Sequence, residues 1–193
     1  RTMEQAYYTF RQPKSLHELR ALLELRYSVY KESRLTSFIA ENSLQLDLDC
    51  YDLNAMHFGL FRCSNEVEEP VGYMRLVTDR PQSSASDIIF IASEDGPMLQ
   101  RVLQTPAVPF PVMTYAPAAD RIDRLHRELQ QRGEQIVEPG RFSLDESARG
   151  RLIATHMVAA TFAVTIANGI DSALLSCTAR HGWMYTHFGF SVF

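Results

Sequence analysis

Two apolar runs, Met56–Phe61 and Val71–Val77, follow one another with only the polar stretch Arg62–Pro70 between them, and this adjacency constrains the fold more than any other feature. Both runs have the length and composition of strands, and no helical pattern separates them. Consecutive strands joined in this way pair as a hairpin or meander. The chain is therefore not a repeat of βαβ units, and its sheet has an antiparallel centre.

The segments around this centre read in turn. Tyr7–Arg11 alternates weakly and predicts a first strand. Ser15 then caps a helix that carries Leu16, Leu19, Leu22, Leu23 and Leu25 to about Tyr30, with Glu18 placed to complete a capping box. Residues 81–118 are rich in Pro, Ser and Ala and predict a long irregular connection, and a charged helix from Ala119 to Arg132 follows, closed by Gly133. Val137 and Arg141–Leu144 predict another strand, and Arg151–Ala167 a long apolar helix ended by Asn168-Gly169. A buried strand is expected at Ser172–Cys177 and a short helix near Trp183–Phe188. This order predicts one α+β domain over residues 1–193, a mixed, mainly antiparallel sheet flanked by helices, with an insertion at about 81–135.

Composition removes several classes of function. A net charge of −4 argues against nucleic acid as the main partner, because phosphate binding needs a basic face. Cys50, Cys63 and Cys177 are odd in number and lack any CxxC or Cys/His spacing, so neither a disulfide framework nor a metal site is indicated and a cytoplasmic chain is expected. Cys177, in its expected buried strand, reads as a structural thiol, and His156, His181 and His187 show no triad or metal spacing. No apolar run reaches the length of a membrane span, and no GxGxxG or GxxxxGK follows a strand.

Six clusters could carry chemistry. Arg26 stands near the end of the leucine-rich helix in Arg26-Tyr-Ser-Val-Tyr30, where a cation also suits the helix dipole. Asp47-Leu-Asp49-Cys-Tyr-Asp52 places three carboxylates in six residues, able to cap turns, hold an ammonium group or orient an arginine. Arg75 is the one charge in the strand Val71–Val77 and needs a carboxylate partner or a cleft; Asp49 or Asp52 would serve. Glu138 and Arg141 flank a Pro-Gly kink ahead of Phe142, Ser143 and Leu144. Arg149-Gly150-Arg151 precedes the long helix and could seat a phosphate. Tyr185-Thr-His-Phe-Gly189-Phe190 reads as aromatic packing or as part of the site.

In order, Arg-x-x-Val-Tyr, Asp-x-x-Asp, Gly-x-x-Arg-Leu and Glu-x-x-Arg-Phe resemble the signature of acyl-homoserine-lactone synthases. They are equally similar to bacterial N-acyl amino acid synthases and to exosortase-associated acyltransferases, all of the GNAT superfamily. The match spans roughly residues 7–152, and the tail resembles the wider GNAT pattern, with Arg149-Gly150-Arg151 in the pyrophosphate-loop region and Tyr185 after the split strand. The resemblance implies a GNAT fold and an acyl-phosphopantetheine donor, either acyl carrier protein or acyl-CoA, as cosubstrate without a tightly bound cofactor. The acceptor it implies is a small amine. Arg26, Asp49, Asp52, Arg75, Glu138 and Arg141 fall on the family's motif positions, and Arg141–Leu144 on its acyl-binding strand. The homoserine-lactone synthases carry a tryptophan shortly after the first motif, where this chain has Lys31-Glu-Ser-Arg34-Leu35; this favours an amino acid over S-adenosylmethionine as acceptor.

On this basis Glu138 is expected to be the base, backbone N–H groups near Phe142–Leu144 to steady the oxyanion, and Tyr185 to protonate the leaving thiolate. The charged helix carries Arg121, Arg124, Arg127 and Arg132 at near-helical spacing, a face suited to the acidic surface of an acyl carrier protein. Other readings are a homoserine-lactone synthase using S-adenosylmethionine, an ordinary acetyl-CoA-dependent N-acetyltransferase, and a non-catalytic acyl or amino-acid binding module.

Overall fold

The structure, a computed structural model, describes residues 6–65, 67–115 and 119–191, with the side chains of Tyr115, Arg151 and Arg180 outside the described set. Five strands form one sheet in chain order: β1 (Tyr7–Arg11), β2 (Ala55–Ser64), β3 (Val67–Val77), β4 (Ile136–Leu144) and β5 (Ser172–Ala173). The first four are antiparallel neighbours, and β5 joins β4 in parallel.

Helix α1 (Leu16–Lys31) starts where Ser15 accepts the Glu18 amide. The reciprocal half of the expected capping box is displaced by one residue: the Glu18 carboxylate accepts the Lys14 amide and the Arg11 guanidinium, which ties α1 to the end of β1. Its buried stripe is Leu19, Leu22, Leu23, Arg26 and Tyr27, at the i, i+3, i+4, i+7, i+8 positions of one helical face. Arg26 therefore occupies a core position, not the helix-end solvent position that a dipole partner would take.

The central hairpin is longer than the apolar runs suggest. Arg62–Pro70 is mostly strand, and the chain reverses at Asn65, whose φ of 49° lies in the left-handed region that Asn tolerates. The described part of the stretch expected to be irregular, residues 81–115, carries helices: α2 (Ala85–Ala92), α3 (Gly96–Val102) and α4 (Val112–Tyr115) precede α5 (Ala119–Gln131). Helices α2 and α3 bury Ile88, Ile91, Met98 and Val102 against Leu19 and Leu23 of α1. Val112, Met113 and Leu129 of α4 and α5 pack on Val77 and Ile136 at the sheet.

On the opposite face of the sheet lies α6 (Arg151–Ala167), which sets Met157 against Leu60, Met74, Leu76 and Leu144. Asn168 and Gly169, at a φ of 69°, end it. The strand expected at Ser172–Cys177 pairs only at Ser172 and Ala173, beside Ile136 and Val137, before the chain leaves β4 and enters α7 (Ala179–His187). Cys177 is consequently exposed rather than buried.

A candidate active site where two strands part

The parting of β4 from β5 opens a cavity of about 810 Å³. One wall is β4, from Glu138 to Phe142, and the other is the segment Ser176–Thr178 with His181, Trp183, Met184 and Tyr185 of α7. The opening passes through the sheet. Asp49 and Arg75 reach it from the face that α1 covers, and Met74 and Ala154 from the face under α6. Its floor is thus charged on one side and apolar on the other.

The wall β4 is not a regular strand. Arg75 pairs with Gly140 but Tyr73 with Ser143, so β4 carries one residue more than β3 across this stretch. The extra residue is accommodated with Arg141 at a φ of 56°, a conformation that costs a non-glycine residue about 1–2 kcal/mol. Such a bulge leaves a residue without its ladder partner and bends the strand. Ser143 and Leu144 stay in register with Tyr73 and Gly72, and both are buried, Leu144 in the core beside Met157. They do not line the cavity; the cavity-facing part of the predicted acyl strand ends at Phe142.

Behind the charged floor, three arginines and three aspartates interlock. Arg26 is fully buried; it forms a two-armed pair with the Asp52 carboxylate at 2.9 and 3.0 Å, lies 2.8 Å from an Asp47 oxygen, and donates to the Tyr73 hydroxyl at 2.9 Å. The arm that holds the second Asp52 oxygen also donates to the Asp47 carbonyl. Arg75 bridges Asp49 at 2.7 Å and Asp52 at 3.1 Å. Arg141 reaches Asp49 at 3.1 Å, Asp47 at 3.3 Å and the Phe38 carbonyl at 3.2 Å, with its guanidinium over the Tyr30 ring. Burial alone would push the Asp49 and Asp52 carboxyls up, but the surrounding guanidinium groups reverse this and hold both below the ordinary range, Asp52 far below it. The two aspartates also support each other locally: Asp52 accepts the Asp49 amide at 2.8 Å, and Asp49 accepts the Tyr51 amide at 2.9 Å.

Glu138 differs from these carboxylates. Among the described residues no guanidinium lies within ion-pair distance of it; one oxygen accepts the Val112 amide at 2.8 Å and the other faces Gly140. Burial raises it to about 7, with the Val112 amide and Arg75 opposing the rise. Tyr185, near Cys177 and Tyr30 in the same cavity, is pushed up to about 12 by burial.

Of the sequence-predicted residues, the structure brings Asp49, Arg75, Glu138, Arg141, Phe142 and Tyr185 together at the cavity, with Arg26 and Asp52 directly behind them. Arg149 and Gly150 lie at the N-terminus of α6, where Gly150 is the cap residue and Arg149 donates to the Leu144 carbonyl at 3.3 Å; the Arg151 side chain is outside the described set. Neither Arg149 nor Gly150 lines the cavity, although Ala154, one turn further on, does. Asp47 was visible as part of the acidic run. Tyr30 is the last residue of the Arg-x-x-Val-Tyr motif, whereas Tyr73, Phe38 and Trp183 read as ordinary apolar residues and are signalled by nothing in the spacing. His57 stands between the acidic run and Arg75 and is part of the resemblance to the N-acyl amino acid synthases and exosortase-associated acyltransferases, but its spacing gives it no role.

No protein-family model and no curated protein sequence matches the chain. Solved structures do. FeeM, an N-acyl amino acid synthase from uncultured soil microbes, aligns with a TM-score of 0.60 at 15% identity, over 97% of this chain and 80% of that one. BjaI, a CoA-dependent acyl-homoserine lactone synthase determined with SAM and isopentyl-CoA, aligns with a TM-score of 0.54 at 15% identity, over 97% and 74% of the two chains. An acyl-CoA N-acyltransferase from Pseudomonas aeruginosa aligns with a TM-score of 0.51 at 16% identity, over 96% and 88%. The chain shares the α+β fold of these acyltransferases, the GNAT-like fold that the residue motifs led us to expect.

Proposed function

We propose that the protein is an N-acyltransferase that moves a fatty acyl group from an acyl carrier protein or coenzyme A thioester to the amine of a small acceptor, an amino acid. The observation that supports it best is the placement of Glu138. A carboxyl that titrates near neutrality stands beside a strand bulge, on the wall of a cavity opened by the parting of two strands. A base with such a pKa is matched to taking a proton from an ammonium group near pH 7.

In this reading the thioester lies against the bulge, where backbone N–H groups around Arg141 and Phe142 face the oxygen that becomes negative. Glu138 removes the proton from the acceptor ammonium, directly or through one water. The amine nitrogen forms the new bond to the carbonyl carbon, the carbon–sulfur bond breaks, Tyr185 gives its proton to the departing thiolate, and the second nitrogen proton, lost as the amide forms, passes through water to restore the Tyr185 hydroxyl. Arg75 and Arg141 offer positive charge to an acceptor carboxylate. Met74, Phe142, Ala154, Trp183 and Met184 supply apolar contact far beyond what an acetyl group needs, which favours a longer acyl chain. Gly150 and the first turn of α6 are the seat for the donor's phosphate, and the exposed Arg121, Arg124 and Arg127 of α5 are the face for an acidic carrier protein.

The deciding experiment is thiol release with long-chain acyl carrier protein, long-chain acyl-CoA and acetyl-CoA, each against a panel of amino acids and S-adenosylmethionine. Release with a long-chain donor and an amino acid is expected. Release only with acetyl-CoA, or only with S-adenosylmethionine, replaces the donor or the acceptor of this proposal, and no release with any pair overturns it.

A further inference from the structure

His57 lies outside the cavity floor, on β2 directly opposite Arg75 of β3, and only 1% of it is exposed. Its hydrogen bonds are determined by exclusion. The Asp52 carbonyl, 3.2 Å from Nε2, can only accept, so the proton of the neutral ring is on Nε2 and is donated there. Nδ1 is left to accept, and the Tyr73 hydroxyl, 2.7 Å away, donates to it while accepting an Arg26 N–H at 2.9 Å. Arg26 in turn grips the Asp52 carboxylate. The result is a closed ring of hydrogen bonds that runs from His57 through Tyr73 and Arg26 to the Asp52 side chain, and from the Asp52 main chain back to His57.

That ring holds Asp52 by both its backbone and its carboxylate. Asp52 then fixes two groups that do reach the cavity: Asp49, by accepting its amide at 2.8 Å, and Arg75, by an ion pair at 3.1 Å. We propose that His57 is a positioning residue for the cavity's charged floor, acting through Tyr73, Arg26 and Asp52 to hold Asp49 and Arg75 in place. The acyl-transfer reading above enters only through the rate measurement in its test.

The test compares wild type with His57→Asn, His57→Phe and Tyr73→Phe, by the ¹³C carboxyl titration of Asp49 and by kcat for thiol release. Asn keeps an acceptor for the Tyr73 hydroxyl but is too short to reach the Asp52 carbonyl as Nε2 does, so both readouts should move only part of the way that His57→Phe moves them. His57→Phe and Tyr73→Phe open the ring. The Asp49 titration should move up toward the ordinary carboxyl range as Arg75 loosens, and kcat should fall by about 10²-fold, the loss typical of a small displacement of site groups. If His57→Phe does not fold, Tyr73→Phe, which removes one buried oxygen, decides alone. A folded ring-opening variant whose Asp49 titration and kcat match wild type overturns the proposal, as does one that loses only thermal stability. If wild type releases no thiol with any donor, the acyl-transfer reading fails separately, and the Asp49 titration still decides the role of His57.

Discussion

The Val112 amide donates to Glu138 across 2.8 Å, so the segment inserted between β3 and β4 holds the carboxyl that the strand bulge places at the cavity. Neither element alone specifies the site. The bulge adds a residue to β4 beside the cavity, and the insert supplies the Val112 amide that keeps Glu138 from being a free buried carboxyl.

Glu138→Gln should abolish the base while keeping an oxygen for Val112. A loss in kcat of about 10²–10⁴-fold is expected. In wild type the rate should rise with pH along a limb centred near 7, because only the ionised carboxyl accepts a proton; this limb should be absent in the variant. The sign for stability is the opposite. A folded-state value raised above the unfolded one means that the native protein loses stability as pH rises from the unfolded carboxyl value through about 7. Glutamine removes that cost, so the variant should be more stable than wild type above pH 7, by about 3 kcal/mol at most. Urea unfolding at pH 5 and pH 8 measures it.

His57 gives a second pH dependence of opposite sign. Burial depresses it to about 4, and a second proton would add positive charge beside Arg26 and Arg75. The unfolded chain binds that proton near pH 6.5 and the native protein does not. Stability from this group is complete above pH 6.5 and declines as pH falls toward 4. Wild type should therefore lose more stability than His57→Asn between pH 7 and pH 4.5, a difference that denaturant titration of the pair reads directly.

Arg26→Met tests how far the buried cluster depends on its centre. Removing the guanidinium leaves the buried Asp47 and Asp52 without their main partner, a loss of about 3–5 kcal/mol. Arg26→Lys should recover little of it, because one ammonium group cannot replace the two-armed pair with Asp52 and the contact to Tyr73 together. Thermal unfolding of the two variants should give similar midpoints, both well below wild type.

Much of this was legible in the chain. The leucine spacing with Ser15 placed α1, and the apolar runs placed β2 and β3. The order of four charged motifs pointed to one site before any contact was known. What escaped has physical causes. Helix α3 begins with Asp95 accepting the Met98 amide and with Pro97 in its first turn, a start signal that the Pro- and Ser-rich composition around it obscured. Tyr73 sits in an apolar strand and shows its polar role only through its three-dimensional neighbours. Cys177 was misplaced because Ser172–Cys177 has strand composition, while its pairing ends at Ala173 where β4 and β5 diverge, a property of the sheet that no local pattern encodes.

Gly59 reports on packing alone. A Cβ there would stand 2.6 Å from a Phe61 ring carbon and 2.7 Å from Leu22, closer than side chains approach. The ring is held under Arg11, whose guanidinium lies 3.8 Å from its centroid, so it has little room to yield. Gly59→Ala should cost about 1–3 kcal/mol while leaving the pH dependence of the rate unchanged.

Cys177 offers a chemical probe of the cavity. It is exposed and lines the cavity beside Tyr185, whereas Cys63 is buried and Cys50 half-buried. Iodoacetamide should modify Cys177 first. Partial burial raises its thiol, so labelling should be slow at pH 7 and faster as pH rises. If the donor's acyl arm occupies the space between β4 and α7, saturating long-chain acyl-CoA should shield Cys177, and acetyl-CoA should shield it less. Peptide mass spectrometry of the labelled protein gives the order of modification and the degree of protection. Equal labelling with and without long-chain donor would place the acyl chain elsewhere, because a chain lying between Phe142 and Met184 cannot leave Cys177 open to a reagent arriving through the same mouth.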